Sequence, residues 1–292
     1  MEHKQRMPND FNQPIIEELR ANNGRVGGYF EGARLLLLTT TGAHSGVPHT
    51  TPVGYLPDGE RVLLIASAGG SPRHPDWYRN LVANPRVTVE DGTFTYDAYA
   101  TVLDGTERDR LFARAVEADA GWGDYQRGTD RVIPVVALTE IPGPPQIDAA
   151  SMGEALRLIH DAFRRELALI RDEVAAAGPR LGAQLRVNCL TLCQGLHIHH
   201  SHEDAGMLPG LARQYPELAP VLDRLADEHR TIAALLEELQ RVLDGETATV
   251  LSEVDRLVEE LERHLAYEEE QLIPLLDAAV PPAATRPVSE AT

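Results

Sequence analysis

The chain has 292 residues, 43% hydrophobic and 25% charged, enough apolar mass for packed cores and, at this length, for two domains of ordinary size. A formal net charge of -18 argues against a nucleic-acid backbone as partner and against a generally cationic membrane-binding surface. The charge is uneven: residues 1–145 carry 14 basic and 19 acidic groups, residues 146–292 carry 13 and 26, as expected of two differently built halves.

The N-terminal "MEHKQRMPNDFNQP" has no apolar core of a secretory signal, and the longest aliphatic run, "LLLL" at 35–38, is too short to span a bilayer. No transmembrane segment and a cytoplasmic location are therefore expected. "QPIIEELRANNG" predicts a short helix with Pro14 near its first turn. Residues 1–19 are read as an extension, and a first domain is placed at 20–142. Within it, 33–42, 49–67, 86–103 and 131–141 are β-branched or aliphatic, and "PDGE" and "EDGT" carry Asp-Gly turn signals. Two hairpins and a returning last strand predict a small antiparallel barrel. Helical segments interrupt it at "PDWYRNLVANP" and "TERDRLFARAVEADAG".

"IPGPPQIDAAS" reads as a linker, centred on 143–150. Beyond it the apolar period becomes 3.6, and helices are expected at 151–177, 180–204, 217–243 and 247–277. Short connections make them antiparallel neighbours in an up-down four-helix bundle. Residues 279–292 are expected to be disordered. Cys189 and Cys193, one helical turn apart, are expected as buried thiols rather than a disulfide.

Each bundle helix carries a histidine among apolar-periodic residues: His160, His199, His229 and His264. Glu203 follows His199, and Glu268 follows His264, at the same four-residue spacing, which projects both ligands of a pair from consecutive turns toward one point. Four imidazoles and two carboxylates suit iron, manganese or zinc, and a carboxylate can bridge two ions in a bundle core. The other histidines of "HIHHSHE", His197, His200 and His202, read as surface residues, with His200 nearest the ligand face. Glu228, next to His229, reads as solvated on another face.

This pattern resembles the hemerythrin-like HHE domain family, four-helix bundles around a non-heme di-iron centre. The match covers about 151–278, through "HHSHE" and "HLAYE". It implies His160, His199, Glu203, His229, His264 and Glu268 as iron ligands, and oxygen, peroxide or nitric oxide as partners. Oxygen-binding members carry a second histidine one turn beyond the third-helix ligand. Here Ala233 stands there, which leaves one iron a ligand short unless water, His200, His202 or Glu269 supplies it.

In the first half, "TTTGAHSGVPHTTPV" offers backbone N–H groups and hydroxyls between strands, suited to an anion. "ASAGGSPRHPDWYRNL" adds Arg73 and a helix N-terminus. "AGWGDYQRGTDRVIPV" puts Trp122 and Tyr125 in a glycine-rich turn, where an aromatic can line a flat-ring site. Together these resemble the deazaflavin-dependent nitroreductase and quinone reductase family over about 20–142. The resemblance implies a split, FMN-binding-like β-barrel that takes reduced coenzyme F420 and passes hydride to a quinone, nitroaromatic or similar small-molecule acceptor. By match, His44, Ser45, Gly46, His49, Thr50, Thr51 and Pro52 lie along the cofactor chain. Ala66, Ser67, Ala68, Arg73, Trp77, Tyr78 and Asn80 border its ring and phosphate, and Tyr125 stands on the acceptor side as the catalytic candidate. The family's cations are replaced by Ala43, His44 and His49; Arg73, Arg79 and Arg34 are the candidates to compensate.

The expected molecule is thus a multidomain α+β oxidoreductase, a split barrel followed by an all-α bundle, with a homodimer admitted as its assembly. The alternative is a non-catalytic, iron- and oxygen-responsive protein with the barrel as scaffold.

Overall fold

The computed structural model describes residues 8–143, 146–177, 181–244 and 249–278. The expected tail at 279–292 lies outside them, as do residues 144 and 145 of the expected linker.

Six strands close into an antiparallel barrel in the order β1-β2-β3-β6-β5-β4. They are β1 (Leu35–Thr41), β2 (Pro48–Asp58), β3 (Arg61–Ile65), β4 (Arg86–Glu90), β5 (Thr95–Val102) and β6 (Val135–Glu140). The Asp-Gly signals mark the β2–β3 and β4–β5 hairpins, where Gly59 and Gly92 take φ of 67° and 94°, open to glycine at little cost. Period-2 alternation explains the uninterrupted leucines of β1. Leu36 and Leu38 point into the barrel, while Leu35 and Leu37 pack outward on Ile16 and Leu19 of α1 (Pro8–Ala21). In the same way Leu63, Ile65, Val135 and Ala137 turn outward onto α3 (Gly105–Ala118). One end of the barrel interior is closed by Trp77 and Leu81 of α2 (Asp76–Ala83).

Two local expectations change. Pro14 lies inside α1 rather than near its start, because the helix begins as early as Pro8. The Trp122–Tyr125 turn is a helix, α4 (Gly121–Arg127), whose first turn is tied by Asp119 accepting from the Gly121 N–H at 2.8 Å.

The bundle comprises α5 (Met152–Ala177), α6 (Ala183–His202), α8 (Ala219–Asp244) and α9 (Val250–Ala278). A π-turn, Glu203–Met207, continues α6 into α7 (Leu208–Gln214), so the segment expected as loop is largely helical. α9 packs against α5 and α8, and α6 against α5 and α8. The interior is layered. One apolar cluster holds Leu167, Cys189, Cys193, Leu196, Ile232 and Leu261; a second holds Leu156, Leu208, Leu225 and Leu272. Between them, every helix presents a buried histidine or glutamate. The cysteines are free, and burial pushes both thiols up to about 12.

The domains meet at the hairpin end of the barrel. Arg34, just before β1, donates to Glu166 at 2.7 Å and to Glu173 at 2.5 Å, two acids of α5. Gln184 of α6 donates to the Pro57 carbonyl at 2.8 Å. Among the described residues no helix is long and apolar enough to cross a membrane.

Candidate functional site

At about 100° per residue, His199 and Glu203 are separated by ~40° around the α6 axis, and His200 lies ~60° from Glu203 on its other side. Glu203 therefore stands between two adjacent histidines, and all three reach the bundle interior. His160 is 0% exposed, His200 5%, Glu203 5%, His229 3%, His264 1% and Glu268 0%. His197 and His202 are exposed, as expected of them. His200 is not: it is buried, and the expectation that placed it on the surface is corrected by the packing of α6 against α8.

Donor atoms within 4.8 Å of one another form three overlapping groups: His160, His199 and Glu203; His200, His229 and His264; and Glu203, His229 and Glu268. Glu203 belongs to two of them. Its Oε1 is 3.2 Å from His199 Nε2 and its Oε2 is 3.5 Å from His229 Nε2. Glu268 Oε2 is 3.6 Å from Nε2 of both His160 and His264. Both carboxylates thus sit between a two-histidine half and a three-histidine half. The six expected ligands converge, and His200 adds a fifth imidazole beside His229 and His264.

The rings are aimed from behind. The Nδ1–H of His160 donates to Glu269 at 2.9 Å, that of His229 to Asp204 at 2.7 Å, and that of His264 to Glu228 at 3.0 Å. This fixes the tautomer and leaves the Nε2 lone pairs facing inward. Glu228 is therefore not simply solvated; it also accepts from Arg224 at 2.9 Å, and these bonds hold its carboxyl below the usual value against the effect of burial. Burial raises Glu269 too, but bonds from His160 and Arg164 outweigh it and hold it down to about 2. A sequence signal for these acids exists. Asp204, Glu228 and Glu269 each directly adjoin a ligand candidate in the chain.

Inside, nothing balances the donors. Nε2 of all five histidines and both oxygens of Glu203 and Glu268 are buried without a hydrogen-bond partner. Burial pushes the imidazoles down, His264 to about 4 and His199 to about 3, with His160 and His200 also lowered. Burial pushes both glutamates up, and the Glu268 charge raises Glu203 further. Nine orphaned atoms in a dry layer carry a heavy desolvation cost, which a pair of cations removes. Five nitrogens and two carboxylates are a donor set for first-row transition ions.

At the far end of the barrel, a cleft of about 520 Å³ is lined by His44, Ser45, His49, Thr50, Thr51, Trp77 and Asn80 among others. Its size falls within the ~300–1,000 Å³ of small-molecule sites. Asn80 shapes it: its Oδ1 accepts from the Ala43 N–H at 3.0 Å and its Nδ2 donates to Thr40 Oγ1 at 3.1 Å. Gly42 leaves room beside Ser45, since a Cβ there would meet Ser45 Oγ at 2.3 Å. The remaining candidates border this cleft less directly. Ala66 and Ser67 are buried at the end of β3. Gly46, Pro52, Ala68, Arg73 and Tyr78 are outside the cleft lining. Tyr125 is 37% exposed on α4, its backbone packed on Gly70. Arg131, which the sequence reading passed over, holds this region, donating to the Ser67 carbonyl at 2.5 Å and the Ser71 carbonyl at 2.8 Å. Arg79 lines the cleft, 3.1 Å from Asp76. Arg34 cannot serve as a compensating cation, because it is bound to α5 at the opposite end.

Residues 14–140 match the family model described as F420H(2)-dependent quinone reductase, and residues 151–276 match the hemerythrin HHE cation binding domain. A Mycobacterium tuberculosis protein described as an F420H(2)-dependent quinone reductase is 43% identical over 124 residues, spanning 41% of this chain and 83% of that protein. A solved F420-H2 dependent reductase, FDR-A, is similar at 42% identity, covering 36% of this chain and 93% of its own, with a TM-score of 0.34. A structure described as a domain-swapped dimer is 36% identical, covering 45% of this chain and 99% of its own, with a TM-score of 0.36.

Proposed function

The chain belongs to the F420H(2)-dependent quinone reductase family through its barrel and carries a hemerythrin HHE domain behind it, and from that premise we propose a two-site redox protein. The barrel cleft takes reduced deazaflavin and serves a quinone, nitroaromatic or related small acceptor. The bundle holds a non-heme di-iron centre that reacts with or senses oxygen, peroxide or nitric oxide. The observation that carries the metal reading is the layer of nine buried, unpartnered nitrogen and oxygen donors.

The deazaflavin supplies hydride, and iron supplies redox and small-ligand chemistry. What the chain does is position and exclude. His160, His199, His200, Glu203, His229, His264 and Glu268 would hold the metal. Glu269, Asp204 and Glu228 keep three rings oriented, and the leucine layers on either side keep bulk water out. In the cleft, Ser45, Thr50 and Thr51 offer hydroxyls, and Trp77 offers an apolar wall. Hydride transfer depends on ring alignment and needs no general base, so Tyr125 acts as an acceptor-side wall in this reading.

The cleft and the bundle lie at opposite ends of the barrel. Gly42 lines the cleft and Leu36 lines the seam with the bundle, six residues apart along β1, which is about 20 Å of strand. The sites therefore work as separate centres within one chain. The reading is tested by iron analysis of purified protein, expected to give about two irons per chain, and by titration with reduced F420, expected to saturate and to be reversed by a quinone. Metal at trace level refutes the first half. Absence of cofactor binding at roughly 100 μM, well under the ~1 mM upper range of enzyme KM values, supports the second reading, an iron-responsive protein with the barrel as scaffold. That reading is favoured by one observation: the cleft has histidines and a single arginine where the family has fixed cations.

A further inference from the structure

The connector from β3 to α2, residues 66–75, leads into the cleft wall. Pro75, Asp76 and Trp77 line the cleft, and Ala66 packs in one cluster with Trp77. Its backbone is strained. Ala68, Gly69 and Gly70 take φ of 48°, 60° and 78°, left-handed residues in succession, and one of them carries a side chain. Such a turn persists only where its surroundings hold it. Gly70 packs directly on α4, where a Cβ would stand 3.1 Å from the Tyr125 carbonyl oxygen.

One side chain does the holding. The Arg131 guanidinium donates from Nη2 to the Ser67 carbonyl at 2.5 Å, from Nε to the Ser71 carbonyl at 2.8 Å and from Nη1 to His74 Nδ1 at 3.2 Å. These acceptors bracket the left-handed turn and reach the residue before Pro75. Arginine only donates, so His74 Nδ1 accepts and the ring carries its proton on Nε2. The His74 carbonyl in turn accepts at 3.2 Å from Arg79, which lines the cleft. Arg131 is itself fixed from α4, its carbonyl accepting from Gln126 Nε2 at 2.8 Å. Among the described residues it has no acid partner, and burial pulls its pKa below the ordinary value. A half-buried cation without a counter-charge adds little as electrostatics; what it secures is geometry.

We propose that Arg131 is the positioning residue of the barrel site. Through Ser67, Ser71 and His74 it fixes the connector, and so sets the wall against which the deazaflavin ring aligns. The inference rests on the barrel reading given above. Hydride transfer depends on ring alignment, so Arg131 governs the transfer rate more than the cofactor affinity.

The test compares full-length wild type, Arg131→Met and Arg131→Lys. Without cofactor, amide hydrogen exchange at residues 67–74 is expected to speed up about tenfold in Arg131→Met, with the bundle helices unchanged. Single-turnover oxidation of bound reduced F420 by a quinone is expected to slow about tenfold or more, with Kd held within about threefold. Arg131→Lys keeps the charge but cannot fork to both carbonyls, and is expected to recover part of each loss. Unchanged exchange at 67–74 in Arg131→Met, or a wild-type His74 protonated on Nδ1 by nitrogen-15 NMR, overturns the clamp. Equal transfer rates, or a loss confined to Kd, overturn its role in alignment. If the methionine variant does not fold, the lysine variant decides on the same readouts. A wild type that binds no F420 overturns the barrel reading and the alignment role with it; the exchange result does not depend on the cofactor and still decides the clamp.

Discussion

The imidazole of His200 lies face to face with that of His229, ring centroids 4.3 Å apart and planes 14° from parallel. Both rings belong to the group completed by His264, so α6 supplies an imidazole to this group where α8, with Ala233 one turn beyond His229, supplies no second one. His200→Ala is expected to lower retained iron from about two to about one per chain. Adding Ala233→His to that variant is expected to restore it, because position 233 is one turn beyond His229. Elemental analysis and the ferric absorption spectrum check both; full loading of His200→Ala removes this residue from the ligand set.

Acid is expected to destabilise the metal-free protein. Burial depresses His160, His199, His200 and His264, and a depressed histidine contributes stability that is present above its unfolded value of 6.5 and lost as pH falls toward the folded one, about 4 for His264 and about 3 for His199. The raised Glu203 and Glu268 act oppositely, contributing stability below their unfolded value of 4.5 that is lost as pH rises through the folded values. Between 6.5 and 4.5 four imidazoles oppose two carboxyls, and the imidazoles prevail. Tm followed from pH 7 to pH 5 is expected to fall; a flat or rising curve counts against this electrostatic picture. Iron loading at pH 7 is expected to release protons from the glutamate pair, read by calorimetry in buffers of different ionisation enthalpy.

Arg34 joins the domains. Its side chain is 10% exposed and holds Glu166 and Glu173, and Glu173 in turn accepts from Asn188 at 3.1 Å. Arg34→Met leaves the half-buried Glu166 without its partner, while Glu173, 37% exposed, is screened by solvent, so the expected cost is about 1–2 kcal/mol. Urea unfolding measures this, and a loss under ~0.5 kcal/mol means the pair is no stronger than a surface one.

The cleft is short of fixed cations. His49→Arg returns a permanent charge beside Ser45, whose Oγ is 3.4 Å from His49 Nε2. One added charge-assisted bond contributes about 1.5–3 kcal/mol, so cofactor affinity is expected to rise roughly tenfold or more. Fluorescence titration with F420 reads the change, and no gain indicates that the cofactor chain lies elsewhere.

Removing the metal should leave the barrel's chemistry alone. With the cleft separated from the seam by about 20 Å of strand and the metal ligands lying beyond the seam in the bundle, chelated protein is expected to oxidise reduced F420 with a quinone within about twofold of the loaded rate. A larger loss would establish coupling between the centres.

The sequence by itself determined the parts whose signal is local. Asp58-Gly59 and Asp91-Gly92 set the hairpins because their backbone needs are confined to the turn. The four-residue spacing of His199 with Glu203, and of His264 with Glu268, set two ligand pairs because helix geometry alone brings consecutive turns together. Tertiary structure decided what depends on a neighbour. Of the histidines in "HIHHSHE", His199 and His200 face inward and His197 and His202 outward, because α6 is wedged against α5 and α8 and the π-turn at Glu203 follows at once. Glu228 became the partner of His264 across 36 residues, and Arg34 was committed to α5, through contacts no spacing rule reports. The placement of cleft and bundle at opposite ends of the barrel, with a cavity between barrel and bundle, exists only once the domains are docked, since each half supplies just one wall of that cavity.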